Sequence, residues 1–177
     1  MTPMSDDARP HRQGAIELID DPIAQDLLSS TVPARVAYVA HDGTPRVLAT
    51  WFHWTGSELA MGTFIAAPHV QRPTARIAAL RQRPDVAITI DTETFPPRIL
   101  QLRGQANVVE VDGIDPDYAR AALRFIGADA AASYLASIDQ PGTRMARITV
   151  RPTWVGLLDF QTRLPDALGG VQGGSDD

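Results

Sequence analysis

The chain has 177 residues and a formal net charge of −5, enough for one domain with a real core and ill-suited to general nucleic-acid binding. It contains no cysteine, and all 16 of its positive residues are arginine. Disulfides, thiolate nucleophiles and iron–sulfur clusters are thereby excluded, as are a Schiff-base lysine and a Walker-type phosphate loop.

Residues 1–15 lack a hydrophobic leader and read as disordered, 16–166 read as one domain, and the Gly-rich 167–177 read as a flexible tail. No apolar run is long enough to span a bilayer, so a cytoplasmic protein with no membrane or nucleic-acid partner is expected. The stretch Asp20–Ser30 predicts a short helix, with Asp20 or Asp21 as N-cap and Pro22 at the first helical position. Ala34–Ala40 reads as a strand, followed by an Asp-Gly turn over His41–Pro45. Gly43–Thr63 reads as two strands turning at Thr55-Gly56.

From Val47 to Trp54 the usual alternation of apolar and polar residues fails. Val47, Ala49, Trp51 and His53 face one way, and Leu48, Thr50, Phe52 and Trp54 the other. Barrel closure would bury one of these faces. The face with Phe52 and Trp54 then needs a cover, either a helix of the same chain or a subunit interface.

After a loop over Phe64–Arg72, a helix is predicted from Pro73 that stops before Pro84. Asp85–Asp91 is a strand and Thr92–Pro97 a loop. Arg98–Val111 is a long strand bending at Gly104. Asp115–Gly127 and Asp129–Ile138 are helices, and Thr143–Phe160 holds one long final strand or two. Six strands with few helices between them predict a mainly β (α+β) domain, an antiparallel sheet closed as a barrel.

Pro73 at the first helical position would put Thr74 and Arg76 in the first turn, where a cation opposes the helix dipole. A solvated arginine tolerates that small cost. Alternatively Arg72, the Thr74 hydroxyl, Arg76 and the free N–H groups form a phosphate site, which reverses its sign. The four histidines show no metal-ligand spacing and no carboxylate at helical separation. Asp20 with Asp21 reads as a helix cap, and Asp91 with Glu93 as solvated carboxylates at a strand end. No Gly-x-Ser-x-Gly elbow and no Gly-x-Gly-x-x-Gly fingerprint is present. With neither metal nor catalytic residue in view, any chemistry is expected from a borrowed cofactor.

Five pieces in order, "ARVAYVAHDGTPRVLATWF", "ELAMGT", "ARIAALRQRPDVAITI", "LRGQANVV" and "ITVRPTWVGLLDFQTRLP", resemble the pyridoxamine 5'-phosphate oxidase-like flavoproteins. Within that family they are similar to the flavin/deazaflavin oxidoreductases. The resemblance spans Ala34 to Pro165 and implies a six-stranded split β-barrel with a few flanking helices. It also implies a homodimer with cofactor at the interface, where the second face of the Val47–Trp54 strand meets cofactor and partner. Leu48, Ala49, Thr50 and Trp51 would line the ring and ribityl chain, and Gly62 and Thr63 would approach the ribityl or phosphate. Arg76, with Leu80 and Pro84 at the family's spacing, falls where a basic residue grips the phosphate. Gln101 would reach the ring of the partner's cofactor, and Trp154 or Arg163 would close the site from the other subunit.

The loop between Thr63 and Arg76 is longer than the family pattern, which leaves the phosphate to either Arg72 or Arg76. The Arg-x-Arg and His-Asp-Arg elements that hold pyridoxine phosphate in the true oxidases are not apparent, so vitamin B6 oxidation is not expected. The resemblance implies an oxidoreductase that binds FMN or deazaflavin (coenzyme F420) and passes hydride to a small organic acceptor. The alternative is a carrier or sensor that binds the same cofactor without turnover.

Overall fold

The computed structural model describes residues 13–70 and 74–162. The first helix forms as its sequence dictates. The Asp21 carboxylate accepts the Ile23 N–H at 2.9 Å, Pro22 opens α1 (Pro22–Ser29), and Ile23, Ala24, Leu27 and Leu28 share its buried face. A 3-10 turn, Ile16–Asp20, precedes it.

The strands are β1 (Ala34–Val39), β2 (Pro45–Thr50), β3 (His53–Trp54), β4 (Leu59–Ala66), β5 (Asp85–Asp91), β6 (Arg98–Asp112) and β7 (Arg144–Asp159). The remaining helices are α2 (Ala75–Gln82), α3 (Pro116–Ile126) and α4 (Ala128–Ile138). All seven strands lie in one antiparallel sheet, in the order β2-β1-β5-β6-β7-β4-β3.

The mainly β, α+β class therefore holds, but the strand count is seven and the sheet is not closed. The added strand comes from the Val47–Trp54 run, which breaks at Trp51-Phe52. Its first half pairs with β1 and its second half with β4, at opposite edges of the sheet. Laid flat, seven strands would hold those edges about 29 Å apart, at about 4.8 Å per step. Three Cα steps of about 3.8 Å join Thr50 to His53, a reach of about 11 Å. The sheet must curl until its edges nearly meet, and it stays split between them.

Phe52 shows why both faces of this run are bulky. It is fully buried, packs edge-on to Phe125 of α3 at 5.9 Å, and lies 4.4 Å beneath the Arg124 guanidinium. Arg124 also donates to the carbonyls of Leu28 and Phe52. A helix of the same chain thus covers Phe52.

Along β6 the two-residue period is plain: Leu100, Leu102, Gly104 and Ala106 are buried, and Gln101, Arg103, Gln105 and Asn107 are exposed. With Val36, Ile88, Ile90, Ile148, Val150 and Val155, the side chains of Leu100, Leu102 and Ala106 fill the inside of the curled sheet, and Leu27 and Leu80 pack against the same core. The bend expected at Gly104 is a bulge. Arg103 faces Trp154, Gly104 faces Pro152, and Thr153 between them has no opposite number. Pro152 offers no N–H to the ladder, so the irregularity falls where pairing is already weakest.

Past Val150, β7 loses β4 as a neighbour, and the Gln13 side chain takes over. Its amide donates to the Leu157 carbonyl at 2.6 Å and accepts the Leu157 N–H at 2.9 Å. Nearby, the Trp154 indole lies over Gly156, beneath Arg103 at 4.1 Å. A Cβ on Gly156 would overlap the indole ring. Gly156→Ala should therefore cost about 1–3 kcal/mol by overpacking, read from chemical denaturation. An unchanged midpoint would mean that the indole swings clear.

Candidate functional site

The split has a cleft of about 530 Å³, lined by Leu48, Ala49, Thr50, Trp51, Gly62, Thr63, Phe64, Arg76, Tyr118 and Tyr134, with Pro33 at the margin. It lies between β2 at one edge of the sheet and β4 beside the other. Seven residues singled out in the sequence meet here: Leu48, Ala49, Thr50, Trp51, Gly62, Thr63 and Arg76. The outer side of β2 has no strand partner among the described residues, so backbone groups along Leu48–Thr50 can bond a ligand.

The other sequence candidates lie elsewhere. Arg72 and Arg163 are outside the described residues, as is Pro73. Thr74 is the N-cap of α2 and not a residue of its first turn, because the helix begins at Ala75. Its hydroxyl accepts the Arg76 N–H at 3.2 Å. Gln101 sits exposed on the outer face of the sheet, opposite Gly156, and Trp154 lies beside it on that face. Neither lines the cleft of its own chain.

Arg76 is the cleft's cation. Burial holds its pKa below the ordinary guanidinium value, and its Nε is buried without a hydrogen-bond partner. Among the described residues it joins no ion pair, and none of those lining the cleft is a carboxylate.

The opposite wall is aromatic. Trp51 stacks on Phe125 at 5.6 Å and 18°, and meets Tyr134 edge-on at 6.1 Å. Phe64 meets Tyr118 edge-on at 5.9 Å. The Tyr118 and Tyr134 hydroxyls are 2.6 Å apart. Gly62 makes this wall possible, since a Cβ there would come within 3.0 Å of the Tyr118 side chain and 2.9 Å of Met145.

Sequence reading gave Tyr118 and Tyr134 no role. A signal was present: they lie nine residues before and seven after Gly127, where the α3–α4 hairpin turns. Residues about equally far from such a turn come together.

A charged cluster fixes α3 to the sheet below this wall. Asp117, nearly buried, accepts from Arg147 at 2.8 and 2.5 Å and from Arg120 at 2.8 Å. Burial works against its charge, but the arginine hydrogen bonds outweigh it and hold the carboxyl below its ordinary range. Asp115 caps α3 through one oxygen; burial raises its pKa, and its Oδ2 has no partner.

His53 lies 3.9 Å from Asp117, so it does have a carboxylate neighbour, brought from far along the chain. Burial lowers its pKa, Asp117 opposes the shift, and Arg120, Arg124 and Arg147 add to it. The fold therefore holds a neutral imidazole where the unfolded chain takes up a proton near pH about 6.5. Stability should be full above that pH and fall as the pH drops through it toward the lowered value. His53→Gln should flatten the melting temperature between about pH 7.5 and 5.5. An equal slope in both proteins would remove His53 from the pH response. Among the described residues no metal-ligating cluster occurs, and no helix is long and apolar enough to cross a membrane.

No protein-family model matches the chain, and no curated protein does. Solved structures do. One, an F420 reductase, is 28% identical, with a TM-score of 0.52 over 75% of this chain and 94% of its own. A conserved hypothetical protein from Mycobacterium tuberculosis has a TM-score of 0.61 at 15% identity, covering 96% of this chain and 98% of that one. A putative pyridoxamine 5'-phosphate oxidase from Listeria innocua has 0.53 at 16%, covering 79% and 98%. The last two show likeness of fold alone. The chain's neighbours among solved structures are thus F420 reductase and pyridoxamine 5'-phosphate oxidase-like proteins, the family that its sequence resembles.

Proposed function

We propose that the protein is an oxidoreductase that binds a cofactor of the flavin–deazaflavin class in this cleft and transfers hydride to a small organic acceptor. The observation that carries the reading is Arg76, a half-buried cation with an unbonded Nε in a cleft whose described lining holds no carboxylate. Such a cation awaits an anion, and the phosphate of FMN or of the deazaflavin coenzyme F420 supplies one. The free side of β2 can bond the polar edge of a ring system, and Trp51 with the two tyrosines gives it a flat apolar wall. When bound, the cofactor supplies the redox chemistry, and the chain's part is to orient it and leave room for the acceptor.

Deazaflavin is the favoured cofactor, because the F420 reductase likeness extends to 28% sequence identity while the oxidase-type likeness is one of fold. We further propose a homodimer. Gln101 and Trp154 share an outer sheet face, from which a second copy would reach the partner's cleft. Mass spectrometry of cofactor extracted from the purified protein tests the reading directly. A deazaflavin or FMN mass is expected, and protein that takes up neither on titration would overturn it. Light scattering should give the dimer mass at micromolar concentration, and a stable monomer would rule out the shared site.

A further inference from the structure

A second cavity, of about 370 Å³, opens between α1, β3 and α3, and it shares no described lining residue with the cleft. Arg124 of α3 lines it. Two of the five guanidinium N–H groups donate to carbonyls, those of Leu28 in the last turn of α1 and of Phe52. Among the described residues the other three meet no acceptor, and Nε is buried. The rings of Phe52 and Phe125 lie 4.4 and 4.9 Å from the guanidinium. Carbonyl dipoles, the end of α1 and two aromatic faces solvate a cation, but none of them is a counter-charge.

The neighbouring charges do not supply one. Arg120 and Arg147 both bond Asp117, and Asp115 lies 3.8 Å from Arg147, so two carboxylates meet two arginines. Arg124 joins no ion pair among the described residues, and His53, held neutral mainly by burial, carries no negative charge. The pocket is left with one unmatched positive charge and, among its described lining residues, no carboxylate. Burial disfavours that charge and lowers the Arg124 pKa, so leaving it unmatched is costly. The other walls are apolar: Leu28, Trp54 and Leu123 line the pocket, and Leu123 stands out as a large hydrophobic side chain that is 47% exposed. A bare inorganic anion gains nothing from such walls, whereas an organic acid matches both halves of the site.

We infer that the pocket between α1, β3 and α3 is a second binding site, separate from the cleft, for a small organic monoanion: a carboxylate held at Arg124 on a compact apolar body that rests against Trp54 and Leu123. One unmatched charge selects a monoanion over phosphate or a dicarboxylate.

Fluorine NMR of 4-fluorobenzoate titrated into the full-length protein reads the site, with 4-fluorobenzamide as the uncharged control. Arg124 is left in place, because it ties α3 to the Leu28 and Phe52 carbonyls. Instead, Leu123→Glu puts a carboxylate into the pocket's own wall, and Leu123→Gln has the same shape without the charge. Position 123 is half exposed, so both variants should fold, which melting curves check. Wild type should bind the benzoate saturably and the amide at least about tenfold more weakly. Leu123→Glu should weaken benzoate binding roughly ten- to hundredfold, while Leu123→Gln keeps it within about threefold. Arg76→Met, which removes the cation of the cleft, should leave it unchanged. No saturable binding at millimolar benzoate, equal affinity for benzoate and amide, or equal affinity in Leu123→Glu and Leu123→Gln would each overturn the inference. Loss of benzoate binding in Arg76→Met would also overturn it, since the anion would then sit in the cleft. Cofactor uptake does not enter the test, so failure of the function proposed above leaves this inference standing or falling by itself.

Discussion

Arg76→Met is expected to raise the melting temperature of the cofactor-free protein while weakening cofactor binding by about 1.5–3 kcal/mol, roughly ten- to 150-fold. The two effects have one cause. A guanidinium that is half buried, with an unbonded Nε and no ion pair among the described residues, is held at a cost that the empty fold does not recover. Methionine keeps most of the packing of the arginine stem and removes the charge. When a phosphate enters, the same charge becomes the partner of a charge-assisted hydrogen bond, and the sign reverses. Cofactor titration by fluorescence and melts of the cofactor-free protein check both halves. A fall in melting temperature with unchanged affinity would make Arg76 a structural cation. Loss of affinity in Arg72→Ala instead would move the phosphate contact upstream, into the segment just before Thr74.

What was legible in the sequence follows from how local each signal is. Asp21-Pro22 specifies a helix start by its own geometry, and α1 needs little else. Gly104 and Pro152 each announce an irregular ladder, and the bulge sits where they face each other. The break at Trp51-Phe52 was hidden because it depends on which strand each half pairs with. Residues 47 to 54 all suit a strand; only the curl of the sheet sends the two halves to opposite edges.

The candidate site shows the same division. Cleft residues at consecutive positions of the chain, Leu48 to Trp51, came through the resemblance as a block. Thr74 was misplaced by one turn position because Pro73 and Thr74 are both good helix openers, and the side-chain cap decided between them. The aromatic wall was missed because Tyr118 and Tyr134 act only after α3 and α4 fold back on each other. The Asp117 cluster was missed for a similar reason: its partners Arg147 and His53 lie 30 and 64 positions away in the sequence.

That cluster gives the second large effect, since it carries the aromatic wall. Asp117→Ala should destabilise the protein by about 3 kcal/mol, the low end of the range for removing one partner of a buried ion pair. The low end applies because the Arg147 side chain is 29% exposed and keeps Asp115 at 3.8 Å. For a chain of this length that is a fall in melting temperature of about 6–12 °C. Arg120→Ala breaks a bond to the same carboxylate but removes a side chain that is 59% exposed, so its cost should stay below about 1 kcal/mol. The contrast separates the buried pair from the surface one.

The pH dependence has a fixed sign. The folded-state pKa of Asp117 is lowered, so its contribution is complete above the ordinary carboxylate value near about 3.9 and is lost as pH falls through the folded value. Wild type and Asp117→Ala should differ most near neutrality and converge in acid. Because α3 carries Tyr118, Arg124 and Phe125, loosening it should also disorder the wall against which Trp51 stacks. Trp51 is the tryptophan of the cleft, so intrinsic fluorescence should shift in Asp117→Ala before the global melt and stay fixed in Arg120→Ala. Loss of stability with an unshifted tryptophan signal would mean that the cluster braces the sheet and leaves the cleft wall standing without it.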